Sequence, residues 1–150
     1  PVLSLAPRRH GHQPNRSTPG EPAPMTIDRI DMRTATDCLR CCVAMVLSMR
    51  YEAVRDLDVG DLPRQLSELN EWLDGIGFAL ACVQATGEGE LLHPFYDGPA
   101  NLWIAGGPTI RGTIHAVLYQ GTRLLHDPHV SRAGLLSITS ATFIFPINCP

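Results

Sequence analysis

The chain contains a cysteine, a histidine and an aspartate that are far apart in sequence. Together these residue types are suited to nucleophilic attack on a carbonyl carbon. Asp37 precedes Cys38 at the predicted start of a helix, where the helix dipole and nearby amide groups stabilise a thiolate. His115 begins an apolar segment, and Asp127 ends the next one. An imidazole that is hydrogen-bonded to a carboxylate is held in one tautomer and can take a proton from a nucleophile. These residues therefore predict a nucleophile, a general base and acid, and a residue that orients the base.

Two helices are predicted in the first half of the chain. In the first, the buried positions follow the spacing i, i+3, i+4, i+7, i+8 and i+11, with Asp37 or Thr36 as the N-cap. The members of this stripe are Cys38, Cys41, Cys42, Met45, Val46 and Met49. The second helix follows Pro63, because Leu66, Leu69 and Leu73 share one face and Gly75 ends the pattern.

The second half of the chain alternates apolar segments with turn residues, which is typical of strands. The predicted strands are residues 78–83, 101–105, 113–120, 123–126 and 137–146. Gly121 and Thr122 indicate a hairpin turn, so His115 and Asp127 are expected on paired strands. Helices followed by strands predict an α+β domain in which the N-terminal nucleophile helix packs on an antiparallel β-sheet.

Composition narrows the class of protein. The 150 residues and net charge of −3 fit one domain, without the basic stripe that nucleic-acid binding needs. No run approaches the roughly 18 apolar residues of a membrane span.

Residues 1–24 are rich in proline and predicted to be a disordered linker or tail, which leaves residues 25–150 as the domain. The odd count of five cysteines favours free thiols: Cys41, Cys42 and Cys82 are expected in the core, and Cys149 as an incidental terminal thiol.

The segment TDCLRCCVAMVL, followed by GTIHAVLYQGTRLLHDPH, resembles the papain-like cysteine peptidase superfamily. The similarity is greatest to compact bacterial and phage-associated members related to peptidases that process double-glycine leaders. In that pattern Asp-Cys or Asn-Cys opens a long helix, a small residue follows (here Ala44), a histidine opens a strand, and Asp-Pro ends the next strand. The resemblance runs from about Thr34 to the end of the chain and implies a papain-like fold. It also implies Cys38 as nucleophile, His115 as general base and acid, and Asp127 as the orienting residue.

Papain-like enzymes usually take an oxyanion donor from a glutamine a few residues before the nucleophile, and no glutamine stands there in this sequence. Thr34, Thr36 or the Cys38 amide would have to serve instead. We expect the site at the seam between helix and sheet, beside Trp103 or Trp72, without a metal or other cofactor. The candidate oxyanion and substrate-binding residues are Thr34, Thr36, Asp37, Trp103 and Arg111. His129 is a further candidate for the cleft, although a solvated position suits both His129 and Arg111.

Several activities are compatible with these residues. The resemblance implies a peptidase if water is the acyl acceptor and a peptide bond is the substrate. It implies a deamidase if water attacks a glutamine side chain, and a transglutaminase if a substrate amine is the acceptor. Cys38-x-x-Cys41 is also the pattern of a thioredoxin-like redox site. A zinc site could use Cys38 and Cys41 with two of His115, His126 and His129. The last alternative is a catalytically inactive binding module.

We expect the partner to be a protein or peptide substrate. We expect no binding to nucleic acid or to a membrane. A compact domain behind a Pro-rich linker is also typical of toxin or effector domains at the C-terminus of larger secreted bacterial proteins, which are paired with a cognate immunity or inhibitor protein. The domain is accordingly expected in the cytoplasm, or secreted and delivered into the cytoplasm of a target cell. All 12 basic residues are arginine. The absence of lysine fits a delivered toxin and is explained more simply by codon bias.

Overall fold

The computed structural model describes residues 26–57, 61–85 and 102–147, so the predicted linker and Cys149 lie outside the described residues. This part of the chain is an α+β arrangement of two helices and a five-stranded antiparallel sheet, as the order of helices and strands predicted. The helices are α1, Cys38–Val46, and α2, Leu62–Asp74, with a short 3₁₀ turn at Tyr51–Ala53 between them. The strands are β1, Phe78–Gln84; β2, Leu102–Pro108; β3, Ile114–Gln120; β4, Arg123–His126; and β5, Ser140–Pro146.

The strands lie in the order β1-β5-β2-β3-β4, so β5 is inserted between β1 and β2. β3 pairs with β2 on one side and with β4 on the other. In the register of β2 and β3, Gly107 lies opposite His115 and Gly106 lies opposite Ala116. Gly106 is also paired with Ser140 of β5. Two glycines of β2 therefore lie opposite the start of the strand that carries His115.

The sheet has a core cluster on each face. The larger cluster lies between the helices and the sheet and contains Cys41, Cys42, Leu69, Ile104 and Leu118, all of them buried. Cys41 and Cys42 have no exposed surface, in agreement with their predicted place in the core, while Cys82 is only partly buried. The smaller cluster on the other face contains Trp103, Ala105, Val117, Ile138 and Ala141.

Several element boundaries differ from the prediction. β5 begins at Ser140 rather than at residue 137, and α2 begins at Leu62 and includes Pro63 instead of following it. α1 ends at Val46 rather than Met49, because the chain turns at Ser48, whose φ is 51°, and the Met49 amide bonds back to Ala44. β2 continues through Gly106 and Gly107 instead of ending before them. No helix in the described ranges is long and apolar enough to span a bilayer.

Candidate active site

A cavity of about 970 Å³ lies between the helices and the sheet. Its described wall includes Cys38 and Leu39 from α1, Gly106 from β2, and His115 and Ala116 from β3. Cys38 is the first residue of α1, as its predicted N-cap implied. The helix start and the sheet therefore bring two of the three predicted catalytic residues, Cys38 and His115, to one cavity.

Asp127 joins this pair through His115. Nε2 of His115 lies 2.7 Å from Oδ1 of Asp127, and both side chains are buried. The carboxylate accepts the ring N–H, which places the proton of a neutral ring on Nε2 and leaves Nδ1 as the proton acceptor. The predicted contact between an imidazole and the carboxylate at the end of the next strand is present.

Backbone amides fix the Asp127 carboxylate on both of its oxygens. The His129 amide donates to Oδ1 and the Gly134 amide donates to Oδ2, each at 2.8 Å. Burial by itself raises the pKa of this carboxyl, but the hydrogen bonds from His115, Gly134 and His129 outweigh burial and hold the pKa below its ordinary value. Asp127 is therefore an anion held in one orientation. The sequence did not indicate Gly134 as a donor, since its position depends on the loop that follows β4.

The Cys38 thiol has opposing influences on its pKa. Burial is the largest and raises the pKa above its ordinary value, and the neighbouring Asp37 charge acts in the same direction. The amides of Ala116, Leu39 and Cys38 itself stabilise the thiolate and lower the pKa, but to a smaller extent. The Ala116 amide was not expected from the sequence, and it belongs to the residue directly after His115.

Cys38 and His115 line one cavity without a direct polar contact. Among residues 26–57, 61–85 and 102–147, no hydrogen bond joins the Cys38 sulfur to the His115 ring. Alternation along β3 places Ala116 and Leu118 in the core cluster beneath α1, whereas Val117 packs in the cluster on the other face. His115 is two residues before Val117 and therefore belongs to the same set of alternating positions in β3 as Val117. The amide of Ala116, rather than the ring of His115, is thus the group from β3 that stabilises the sulfur as thiolate.

Asp37 holds the loop before the nucleophile through one of its two carboxylate oxygens. Its Oδ2 accepts hydrogen bonds from the Arg33 amide at 2.9 Å, the Thr34 amide at 3.2 Å and the Tyr51 hydroxyl at 2.7 Å. It occupies the N-cap position of α1, as predicted, but its side chain makes no capping hydrogen bond. The described wall of the cavity does not include Asp37. Its role is to position residues 33–36 against the start of α1.

The two threonines considered as oxyanion donors line the cavity. Because the Thr34 amide is bonded to Asp37, Thr34 can contribute only its hydroxyl, whose oxygen accepts the Thr36 amide at 3.4 Å. The hydroxyl proton of Thr34 and the amide of Cys38 at the helix start thus stay candidate oxyanion donors.

The structure does not bring Trp103 to the cavity. Trp103 is buried in the cluster on the opposite face of the sheet, where its indole stacks on Tyr119 and donates to the Gly121 carbonyl at 2.8 Å. Trp72 packs against the larger core cluster and is likewise outside the described wall of the cavity. Which face a strand residue occupies depends on the register of the sheet.

Arg111 and His129 both line the cavity, and Ser131 links them. An Nη of Arg111 donates to the Ser131 hydroxyl at 2.8 Å, and the Ser131 amide donates to Nδ1 of His129 at 3.0 Å. The His129 ring meets the His115 ring edge-on, with centroids 6.0 Å apart. His129 therefore lies beside the candidate catalytic histidine, and Ser131 connects Arg111 to His129.

The geometry does not favour the redox or zinc alternatives. Cys41 is fully buried, and burial raises the pKa of its thiol to about 12, which opposes the thiolate that disulfide exchange needs. The His126 ring lies against the Ile30 carbonyl and Asp31, away from the cavity wall. Within the described ranges, no three His, Cys, Asp or Glu side chains are grouped as metal ligands.

Comparison of the chain with protein-family models, with curated proteins and with solved structures finds no match in any of the three. A function for this chain therefore has to be inferred from its own residues and their geometry.

Proposed function

We propose that the protein is a papain-like thiol hydrolase that cleaves an amide bond in a protein or peptide, with a Cys38–His115–Asp127 triad. The observation that carries the proposal is the buried 2.7 Å hydrogen bond between His115 and Asp127 beside a cavity that Cys38 also lines. A carboxylate on one ring nitrogen and a cysteine that lines the same cavity are the components of nucleophilic catalysis by cysteine.

Acylation begins with the thiol protonated, since the pKa of Cys38 is raised. As the sulfur attacks the substrate carbonyl carbon, Nδ1 of His115 takes the thiol proton, and Asp127 stabilises the imidazolium. This step requires Nδ1 and the sulfur to come within hydrogen-bond reach, a contact that is absent among the described residues of the free protein and that substrate binding has to create. The carbonyl oxygen becomes an oxyanion, to which the Cys38 amide and the Thr34 hydroxyl donate.

Collapse of the tetrahedral intermediate breaks the carbon–nitrogen bond. His115 gives its proton to the leaving nitrogen, which departs as an amine, and Cys38 remains as a thioester. A water molecule then attacks the thioester carbon while His115 accepts a proton from it. The carboxylic acid leaves, and the thiol recovers its proton from His115.

The packing of the elements supports the same assignment. α1, which carries Cys38, contacts β2 and β3, and the strand that carries His115 is paired with the strand that Asp127 follows. A nucleophile on a helix and a base on an antiparallel sheet is the arrangement that the resemblance to papain-like peptidases implies. Rigid elements of this kind hold catalytic groups more accurately than loops do.

The test uses a peptide library prepared from digested cellular protein, with mass-spectrometric detection of products. Wild-type protein is compared with Cys38→Ser, which keeps the shape of the side chain, and with Cys82→Ser as the matched cysteine control. Cys82 is partly buried and accepts a hydrogen bond from Thr142, which a serine hydroxyl can also accept.

We expect new peptide termini with wild-type protein and Cys82→Ser, and none with Cys38→Ser. Glutamine converted to glutamate without cleavage would assign a deamidase instead, and joined amines a transglutaminase. Products that are unchanged by Cys38→Ser would overturn the assignment of Cys38. Complete absence of products, with Cys38 no more reactive toward iodoacetamide than an ordinary thiol, would favour the inactive binding module.

The expectation of a toxin can be tested separately in cells. If the domain acts on proteins of a target cell, its expression in a sensitive cell is harmful and Cys38→Ala removes the harm. Equal toxicity of the two proteins, at matched expression, would rule out Cys38 chemistry as its cause.

A further inference from the structure

The described wall of the cavity contains basic side chains and no acidic ones, in a protein that is acidic overall. The chain has 15 Asp and Glu against 12 Arg, a net charge of −3. Within the described residues, the wall nevertheless holds Arg33, Arg111, His115 and His129 and no Asp or Glu. Basic groups are therefore concentrated around the cavity, where an uncompensated one acts on a ligand at short range.

The two arginines of the wall differ in how their charge is compensated. Arg33 forms an ion pair with Glu52 and lies over the Tyr51 ring, with its guanidinium carbon 4.2 Å from the centroid. Arg111 has a neutral partner, the Ser131 hydroxyl, and forms no ion pair with any described residue. The guanidinium of Arg111 is thus the wall cation whose charge remains for a ligand.

His129 offers a second donor beside Arg111. Because the Ser131 amide donates to its Nδ1, the neutral His129 ring carries its proton on Nε2. Ser131 also accepts from Arg111, so one serine fixes both side chains. The edge-on contact of the His129 and His115 rings places His129 next to the proposed catalytic base.

Apolar side chains in the same wall indicate a peptide rather than a small inorganic anion. Ile114 and Val130 line the cavity and are 67% and 85% exposed, respectively. Exposed aliphatic side chains next to a cation suit a chain that carries both apolar groups and a carboxylate.

We propose that Arg111 and Nε2 of His129 form a subsite for a carboxylate of the peptide substrate. This inference rests on the proposed function and adds the substrate class: peptides with an acidic group near the reacting amide. The carboxylate can belong to a Glu or Asp side chain or to the peptide C-terminus, and both bind a guanidinium through the same paired hydrogen bonds.

The probes are iodoacetyl tripeptides, which alkylate Cys38 and differ only in where a carboxylate stands. Iodoacetyl-Ala-Ala-Ala-amide is the neutral parent with respect to charge. In three further amides Glu replaces each Ala in turn, and each of these is compared with the amide that carries Gln at the same position. A last probe carries a free C-terminal carboxylate and is compared with the parent amide. Alkylation at Cys38 is followed by mass spectrometry of the intact protein and its digest.

The variants are Arg111→Gln and, as the matched control, Arg123→Gln. Arg123 is an exposed arginine of β4 outside the described wall of the cavity. Rates are compared as the ratio of each acidic probe to its neutral counterpart within one protein, so a general change in Cys38 reactivity cancels.

At low salt we expect at least one acidic probe to react about threefold to fivefold faster than its neutral counterpart in the wild type and in Arg123→Gln. The preference disappears in Arg111→Gln and weakens as salt is added. Faster reaction of a Glu probe identifies a subsite for a side-chain carboxylate. Faster reaction of the probe with the free C-terminal carboxylate identifies a subsite for a peptide C-terminus. Ratios near one in the wild type, or a preference that Arg111→Gln leaves unchanged, overturn the subsite. Either result leaves Cys38 reactive toward neutral probes, so it is distinct from failure of the proposed function.

Discussion

Nε2 of His115 and Oδ1 of Asp127 are 2.7 Å apart, with side-chain exposures of only 3% and 2%. Two further lone pairs of the carboxylate accept hydrogen bonds from the amides of His129 and Gly134. Because these amides belong to the loop after β4, that loop and the strand pair β3–β4 together determine the orientation of the imidazole. The carboxylate is thus a structural group as well as the proposed orienting residue.

Replacement of Asp127 by Asn should lower both activity and stability. An amide cannot accept on both sides: its NH₂ group faces either the His115 ring or the Gly134 amide, and both are donors here. We expect kcat/KM to fall by a factor on the order of 10²–10⁴ and the free energy of unfolding to fall by about 1–3 kcal/mol.

Kinetics on a cleaved peptide and urea unfolding measure the two effects of Asp127→Asn. Asp31→Asn is the control, since Asp31 is an exposed carboxylate that pairs with Arg132 and His126 away from the cavity wall. Full activity in Asp127→Asn would contradict the orienting role.

The depressed pKa of Asp127 makes part of the stability dependent on pH. Burial raises this pKa, yet the hydrogen bonds from His115, Gly134 and His129 leave it below its ordinary value. The folded protein therefore binds this proton less readily than the unfolded chain. The stabilisation is present above the unfolded pKa of about 3.9 and is lost as the pH falls through the folded value. Urea unfolding should give a wild-type advantage over Asp127→Asn that is constant near neutrality and shrinks below roughly pH 4. An advantage that stays constant to pH 3 would argue against this linkage.

The candidate site was predictable from sequence where it depends on local patterns. The start of α1 at Cys38 follows from an apolar stripe with a 3.6-residue period, and β4 has its predicted bounds because Gly121 and Thr122 mark the hairpin. The contact between His115 and Asp127 follows from that hairpin, since paired strands bring their ends together.

Features that depend on the whole sheet were not predictable in this way. The insertion of β5 between β1 and β2 involves segments far apart in the chain. The face on which Trp103 lies follows from the strand register, and a shift of one residue would reverse it. Asp37 suits an N-cap by residue type, but the tertiary contact with Tyr51 directs its carboxylate elsewhere.

The raised pKa of Cys38 predicts a particular pH profile for alkylation of the free protein. Burial disfavours the thiolate, and the sulfur has no hydrogen bond to the His115 ring among the described residues. The rate with iodoacetamide should therefore keep rising through the alkaline range, beyond the ordinary thiol pKa of about 8.5. A plateau that begins near pH 6 would show instead a thiolate–imidazolium pair that exists before substrate binds. Cys38→Ser is the control that identifies the labelled cysteine.

Gly106 and Gly107 are neighbours in β2 and should respond differently to the same substitution. A Cβ on Gly107 would lie 2.0 Å from the Ser137 carbonyl oxygen, whereas a Cβ on Gly106 would lie 2.3 Å from the Ser140 hydroxyl oxygen. A hydroxyl can rotate away, but backbone cannot move without disturbing the sheet. We expect Gly107→Ala to cost about 3 kcal/mol or more of unfolding free energy and Gly106→Ala about 1 kcal/mol.

The double variant Gly106→Ala, Ser140→Ala tests the cause of the smaller cost. With the hydroxyl removed, the nearest atom of Ser140 to the new Cβ is its own Cβ at 3.7 Å, an ordinary contact. Urea unfolding should therefore show that Gly106→Ala costs less in the Ser140→Ala background than in the wild type. Equal costs for the two glycine variants would mean that β2 shifts as a unit, and Gly107→Ala would then also displace His115, its partner in β3.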